Sequence, residues 1–372
     1  MNLDELQTPC ALVDLDRLER NAAAMAERAH ELGVRLRPHV KTHKCVEAAR
    51  IQTRGCFGGI TVSTLAEARG FAAAGFADIT YAVPVAPQRL AEVVAIGAGI
   101  ERLAVVVDHV VTARAVEETA AAHGTAIPVW LKLDCGLHRA GVDPDDERSA
   151  ALAARRARSP QVDFRGVLTH AGQSYRARSR DEALAAARDE RAVTLAFVSR
   201  LAEAGIAVPE VSVGSTPTAT AAEDLEGITE IRPGNYLFFD AFQAAIGSCT
   251  LGDVALSVLA TVVSAFPDQQ RAVVDAGALA LSKDPGPTHV DPACGFGRLV
   301  AVDDQHPLPG IRLTSLSQEH GVVEGPGTAA LRPGSRLRIL PNHSCLAAAC
   351  FERLHVVRGA EVIDDWKPLR GW

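Results

Sequence analysis

A lysine, two glycine-bearing loops and a histidine–cysteine pair are the features of this 372-residue chain whose residue types and spacing could do chemistry. Lys41 closes the run VRLRPHVK (34–41), which reads as a strand. A lysine pointing into a mostly enclosed site is costly to bury as a cation, unless its pKa falls or its amine is consumed in an imine. The plain alternative is a strand-end lysine that reaches solvent. Further on, Gly214-Ser215-Thr216 and Pro233-Gly234-Asn235-Tyr236 each follow a strand-like run. Backbone N–H groups and hydroxyls in such loops suit a phosphate, although glycine after a strand is also ordinary turn chemistry. A lysine facing a phosphate site describes a phosphorylated aldehyde held as an imine, namely pyridoxal 5′-phosphate.

Further polar groups sit at other strand ends. Asp134-Cys135-Gly136-Leu137-His138-Arg139 follows one, and His170 ends another, with Gln173 and Tyr175 just beyond. An arginine can hydrogen-bond a phenolate oxygen, and an imidazole or phenol can stack on or orient a cofactor ring. A core histidine and a surface ion pair are the competing accounts of His170 and Arg139. Near the C-terminus, Pro341-Asn342-His343-Ser344-Cys345 places an imidazole and a thiol two residues apart. On a strand these project from one face, so His343 and Cys345 could bind one ion. Nitrogen plus sulfur suits Zn²⁺ better than Mg²⁺ or Ca²⁺. Only two ligands are evident, which leaves positions for water or substrate and points to a catalytic ion. Chance adjacency is the alternative.

The elements that must position these groups alternate. From about residue 34 to 245, β-branched runs are separated by Ala-rich segments of helical period, the pattern of a parallel sheet. Eight strand–helix units fit a (β/α)8 TIM barrel, whose functional residues lie at the C-terminal strand ends and whose seventh and eighth loops often hold phosphate. Beyond about residue 250 the runs alternate and are broken by Gly, Pro and Asp, as in an antiparallel β domain. The strand-like TPCALVDLD (8–16) precedes the barrel and could pair into that domain. The expected division is a cofactor-binding barrel over 17–247 and a β domain, carrying the metal pair, from 1–16 and 248–372.

Composition narrows the classes. Hydrophobic residues make up 48% and charged residues 22%, and the formal net charge is −7, so neither nucleic acid nor a membrane is an expected partner. Eight scattered cysteines without a CxxC pair argue for reduced thiols. The acidic N-terminal segment is unlike a signal peptide and no long apolar span occurs, so a cytoplasmic location is expected.

Taken in order, TPCALVDLDRLERN, LRPHVKTHK, LKLDCGLHRAGV, LTHAGQSY, VGSTPT, RPGNYLFFD, EHGVV and PNHSC resemble the D-serine dehydratase and D-threonine aldolase family, nearly end to end. That family belongs to the alanine-racemase-like, fold type III pyridoxal-phosphate enzymes, with a barrel, a C-terminal β domain and usually a dimer. The resemblance implies that Lys41 is the cofactor lysine and that Arg139 lies near the phenolic oxygen, and the freed Lys41 amine is the expected catalytic base at Cα. Tyr175 falls in the segment flanking the cofactor. Gly214, Ser215, Thr216, Gly234 and Asn235 match the phosphate loops, and His343 and Cys345 the metal pair. The aldolase branch typically has His-x-Asp at the metal position, whereas His343-Ser344-Cys345 matches the dehydratases. A dehydratase of a β-hydroxy D-amino acid such as D-serine, D-threonine or D-threo-3-hydroxyaspartate is therefore expected, giving a 2-oxo acid and ammonia. A metal-dependent aldolase is the second reading. A non-catalytic pyridoxal-phosphate-binding homeostasis protein is the third, but such proteins lack a C-terminal β domain. A racemase would have no use for a metal pair.

Overall fold

The computed structural model describes residues 1–303 and 306–372. The chain divides into two compact units, Ala24–Gly234 with Leu369–Trp372 and Met1–Ala23 with Asn235–Pro368. Among the described residues, the first unit holds eight parallel strands: Arg35–Leu36, Ile60–Val62, Asp78–Pro84, Arg102–Val107, Ile127–Lys132, Val162–Leu168, Glu210–Val213 and Glu230–Ile231. Each pairs with its neighbour in sequence, except that the first pairs with the eighth. An isolated bridge from His39 to Thr61, with Thr61 N–H donating to Pro38 O at 2.8 Å, links the first strand's extension to the second. The sheet thereby closes on itself.

The strands are apolar along their length because both faces are covered. Ala104, Val105, Val106 and Val107 are all fully buried, as expected for a parallel sheet wrapped by helices. Burial favours the fold at about 25 cal/mol per Å² of apolar surface removed from water. At the end of the barrel where the strands begin, Arg37 is 1% exposed. Its Nε donates to Glu230 at 2.9 Å, and its Nη1 and Nη2 donate to Asp78 at 2.8 and 3.2 Å. Ser212 Oγ also donates to Glu230, at 2.6 Å. Several hydrogen bonds therefore compensate these buried charges.

The second unit contains nine strands among the described residues. Cys10–Asp14 runs between Leu256–Phe266, antiparallel, and Leu354–Arg358, parallel. The TPCALVDLD segment does pair here, and this one pair departs from the antiparallel pattern. Leu256–Phe266 continues beyond it to pair with Arg271–Val274 and Arg336–Pro341. Its alternating side chains (Val258, Ala260 and Val262) meet Val274, Leu313, Val323, Leu337 and Ile339 in one core. Residues 235–247 belong with this unit: the buried Asn235 donates its side-chain N–H to Asp240 at 2.7 Å and to Ser344 Oγ at 3.0 Å.

Candidate active site

Lys41 follows the first barrel strand. The strand itself spans only Arg35–Leu36, and Lys41 lies in a tight helical turn, Val40–Thr42, instead of ending a strand. Pro38 has no N–H for a ladder, and His39 turns the chain by accepting from Lys41 N–H on its Nδ1, at 3.4 Å. The eighth strand's loop is tied to the same turn, since His39 N–H donates to Pro233 O at 2.9 Å. Gly234 then packs so closely that a Cβ there would lie 2.7 Å from His39 O. Only glycine fits.

The seventh loop is built as tightly. Gly214 has φ +112°, a conformation that favours glycine. Ser215 caps the helix Thr216–Ala221 and exchanges hydrogen bonds with Thr218: its N–H donates to Thr218 Oγ1 at 2.9 Å, and its Oγ accepts from Thr218 N–H at 3.3 Å. Ser215 Oγ also meets Ser174 Oγ at 2.8 Å, in the turn Gly172–Arg176 that carries Tyr175. His170 Nδ1 lies 3.3 Å from Gly214 O.

The charge at these strand ends is positive. His170 is held well below its ordinary pKa by burial, then by Lys41, Lys132 and Arg139. Burial does the same to His39, with Lys41 and Arg232 adding to it. Lys132, 5% exposed, is pushed down to about 8 by burial and by Arg232. Arg232 donates through Nη2 to Thr169 O and through Nη1 to Ser212 Oγ. Four cations around two neutral imidazoles suit an anionic ligand. The donor set fits pyridoxal phosphate.

His343 and Cys345 lie in the other unit, at a strand-to-helix junction. Arg336–Pro341 ends before it, His343 is the N-cap of the helix Ser344–Ala349, and Cys345 is in that helix's first turn. The expected strand placement is thus corrected: Asp240 accepts from Ser344 N–H at 3.0 Å and turns the backbone into a helix there. The two side chains still meet. Burial opposes charge on His343, but Cys345 and Asp284 outweigh it and hold its pKa up to about 11. Asp284 Oδ2 sits 3.1 Å from His343 Nδ1, which leaves Nε2 as the nitrogen for an ion, a common arrangement at metal-bound histidines. Among the described residues no cluster of three His, Cys, Asp or Glu side chains could hold a metal. An ion here would have two protein donors, one nitrogen and one sulfur, which fits Zn²⁺ with open positions.

The structure therefore gathers Lys41, Arg139, His170, Tyr175, Gly214, Ser215, Thr216 and Gly234 in the barrel unit. Asn235, Tyr236, His343 and Cys345 fall in the other. Asn235's N–H also points to Cys345 Sγ, at 3.7 Å. His320 is exposed, and its backbone carbonyl accepts from Ser317 N–H. Sequence reasoning missed His39, Lys132, Arg232, Glu190 and Asp284. The first three could have been found as polar residues at barrel strand ends, whereas Asp284 carries no local signal. No two cysteines form a disulfide among the described residues, and no described helix is long and apolar enough to cross a membrane.

Comparison with known proteins agrees along the whole length. Residues 13–241 match the family described as alanine racemase, N-terminal domain, and residues 255–357 match a putative serine dehydratase domain. The chain is 42% identical to D-threo-3-hydroxyaspartate dehydratase from Delftia sp. (strain HT23), covering 99% of this chain and 98% of that one. The solved structure of that enzyme superposes with a TM-score of 0.95 over 100% of both chains. D-serine dehydratase from Dictyostelium discoideum is 34% identical, covering 100% of this chain and 98% of that one. D-threonine aldolase from Arthrobacter sp. is 32% identical over 98% and 93%. Solved variants of D-threo-3-hydroxyaspartate dehydratase replace a histidine and a cysteine two positions apart, and the cysteine variant is in a metal-free form. The chain belongs to the D-serine dehydratase and D-threonine aldolase family of alanine-racemase-like, fold type III pyridoxal-phosphate enzymes.

Proposed function

We propose that this protein is a pyridoxal-phosphate- and metal-dependent dehydratase of a small β-hydroxy D-amino acid, with D-threo-3-hydroxyaspartate and D-serine as the first candidates. The observation that carries the reading is the histidine–cysteine contact of His343 and Cys345, in a chain 42% identical to a D-threo-3-hydroxyaspartate dehydratase. That relative's solved variants alter a pair with the same spacing. The net reaction releases ammonia and a 2-oxo acid.

When bound, pyridoxal phosphate supplies an electron sink for charge at Cα, and a divalent ion, most suitably zinc, supplies Lewis acidity at the β-oxygen. Lys41 would hold the cofactor, and its amine is the base placed to take the proton from Cα. His39 and His170, kept neutral by burial and by the cations around them, are poor proton acceptors and do not compete with Lys41 as the base. Gly214, Ser215, Thr216 and Gly234, with Asn235 and Tyr236 following in the chain, form the phosphate loops, and Arg139 and Tyr175 orient the ring. His343 and Cys345 hold the ion while Asp284 fixes the imidazole. The working form is a dimer, for which light scattering should report about twice the 39.3 kDa chain mass.

Incubation with D-serine, D-threonine and D-threo-3-hydroxyaspartate tests the reaction. Ammonia and a 2-oxo acid in equal amounts are expected, together with a borohydride-trapped adduct that Lys41→Ala loses. Aldehyde and glycine without 2-oxo acid would replace the dehydratase reading with the aldolase one. Trapped label on Lys132 or Lys44 would overturn the Lys41 assignment.

A further inference from the structure

Glu190 is a carboxylate the proposed chemistry does not use, buried to 1% exposure midway along the helix Arg180–Glu203. A buried carboxylate needs several donors to offset its lost hydration. Glu190 has four, drawn from two loops and from the helix Thr216–Ala221 that follows the second of them. Its Oε1 accepts from Thr169 Oγ1 at 2.8 Å, from Ala171 N–H at 3.0 Å and from Gly214 N–H at 3.1 Å. Its Oε2 accepts from Thr218 Oγ1 at 3.3 Å. Thr169 and Ala171 flank His170, while Gly214 and Thr218 bracket Ser215 and Thr216.

We propose that Glu190 is the positioning residue of the phosphate loop: one buried carboxylate locks the loop after the seventh strand to the loop after the sixth. Gly214 is where a lock is needed. Its φ of +112° lies outside the range most residues adopt, and while the carbonyl of the preceding peptide, Val213 O, still accepts from Arg232 N–H at 3.0 Å, the Gly214 N–H itself turns to the Glu190 carboxylate at 3.1 Å. The carboxylate supplies a fixed acceptor on the side away from solvent. Thr218 transmits the constraint, because its Oγ1 donates to Glu190 and also accepts from Ser215 N–H, at 2.9 Å. The charge matters as well. Glu190 acts on both Arg232 and Lys132, favouring their charged forms, and so offsets part of the positive charge at the strand ends. Hydrogen bonds to an ionised acceptor are stronger than neutral ones, so an amide in the same place holds the loop less firmly.

The inference rests on the reading of Gly214-Ser215-Thr216 as a phosphate loop, and the experiment separates the two. Apo protein is titrated with pyridoxal 5′-phosphate and, in parallel, with pyridoxal, following the absorbance of the bound form. Wild type should prefer the phosphorylated compound strongly. Glu190→Gln should weaken pyridoxal 5′-phosphate binding roughly tenfold with pyridoxal affinity little changed, so the ratio between the two falls. Thr218→Val, which removes the relay hydroxyl and leaves the carboxylate, should lower the same ratio by a smaller factor. Melting of the apo forms is recorded alongside, and the ratio is read on the folded variants. An unchanged ratio in both variants, with wild type still preferring the phosphate, overturns the role of Glu190 alone. No preference in wild type overturns the phosphate-loop reading and the inference with it.

Discussion

Gly234→Ala is the sharpest probe of how the eighth strand's loop meets the Lys41 turn. An added Cβ would stand 2.7 Å from His39 O and 3.0 Å from His39 Cβ, where ordinary contact begins near 3.4 Å. Both atoms sit close to the backbone, so no flexible side chain can swing aside. His39 or the Gly234 loop must retreat by several tenths of an ångström, against the His39 N–H to Pro233 O hydrogen bond of 2.9 Å. Forced shifts of this kind in a packed interior cost about 1–3 kcal/mol. Two residues beyond His39 is Lys41, so the strain falls together on the lysine proposed to anchor the cofactor and on the proposed phosphate loop. If it is relieved only in the cofactor-free form, affinity for pyridoxal 5′-phosphate should fall by roughly five- to a hundredfold, at about 1.4 kcal/mol per factor of ten. The assay is titration of the apo protein, with Gly99→Ala as the control. Gly99 is exposed and its nearest neighbour to an added Cβ is 3.7 Å away, so that change should stay within about 0.5 kcal/mol. Wild-type affinity and an unchanged melting temperature in Gly234→Ala would refute the close-contact argument.

Three further outcomes concern the His343–Cys345 pair and features remote from the proposed cofactor site. Arg37→Met leaves Glu230 buried with its main cation gone, which should destabilise the barrel by about 3–5 kcal/mol; Arg35→Ala, at a 41% exposed side chain, should cost no more than about 1 kcal/mol, and equal losses in denaturant melts would argue against the buried pair. His43 accepts from Cys45 N–H on Nδ1 and meets Gln52 Oε1 through Nε2 at 3.0 Å, and burial holds its pKa down to about 4. The unfolded chain therefore binds more protons between about pH 6.5 and 4, so this contribution is fully present above pH 6.5 and about 3 kcal/mol is lost by pH 4; His43→Gln should flatten that part of the stability profile, and an unaltered slope would assign it elsewhere. Chelation should stop ammonia release while leaving cofactor absorbance and melting largely intact, with Cys345→Ala behaving alike; a chelated enzyme that still makes 2-oxo acid at the native rate would remove the metal from the reaction.

Much of the architecture was legible because it is written in local period. The apolar runs around Val105, Leu131 and Val167 are strands since a sheet covered on both faces needs no polar alternation, and the Ala-rich stretches between them have no other use. The first strand reads too long in the sequence, at 34–41 against Arg35–Leu36, because propensity does not register how Pro38 interrupts a ladder. His343 and Cys345 could be paired by spacing, but not placed. The turn into a helix depends on Asp240, whose carboxylate reaches Ser344 from over a hundred positions away. The same limit hid Glu190 and Asp284. A carboxylate on a helix or loop looks like a solvated surface charge until the fold brings donors to it.

The strand Cys10–Asp14 has a consequence for how the chain comes off the ribosome. It is made well over two hundred residues before either neighbour, since these begin only at Leu256 and Leu354. At about 5–20 residues per second, this segment waits on the order of 12–50 s for its first partner. Throughout that interval Ala11, Leu12 and Val13, all fully buried at the end, present an apolar strand with two unsatisfied edges, the kind of surface that other chains can pair with. A nascent chain stalled between Gly234 and Leu256 holds all eight barrel strands and still carries this apolar segment unpaired. Holding that segment during synthesis, by a chaperone or by the nascent chain itself, is thus a requirement set by strand order alone.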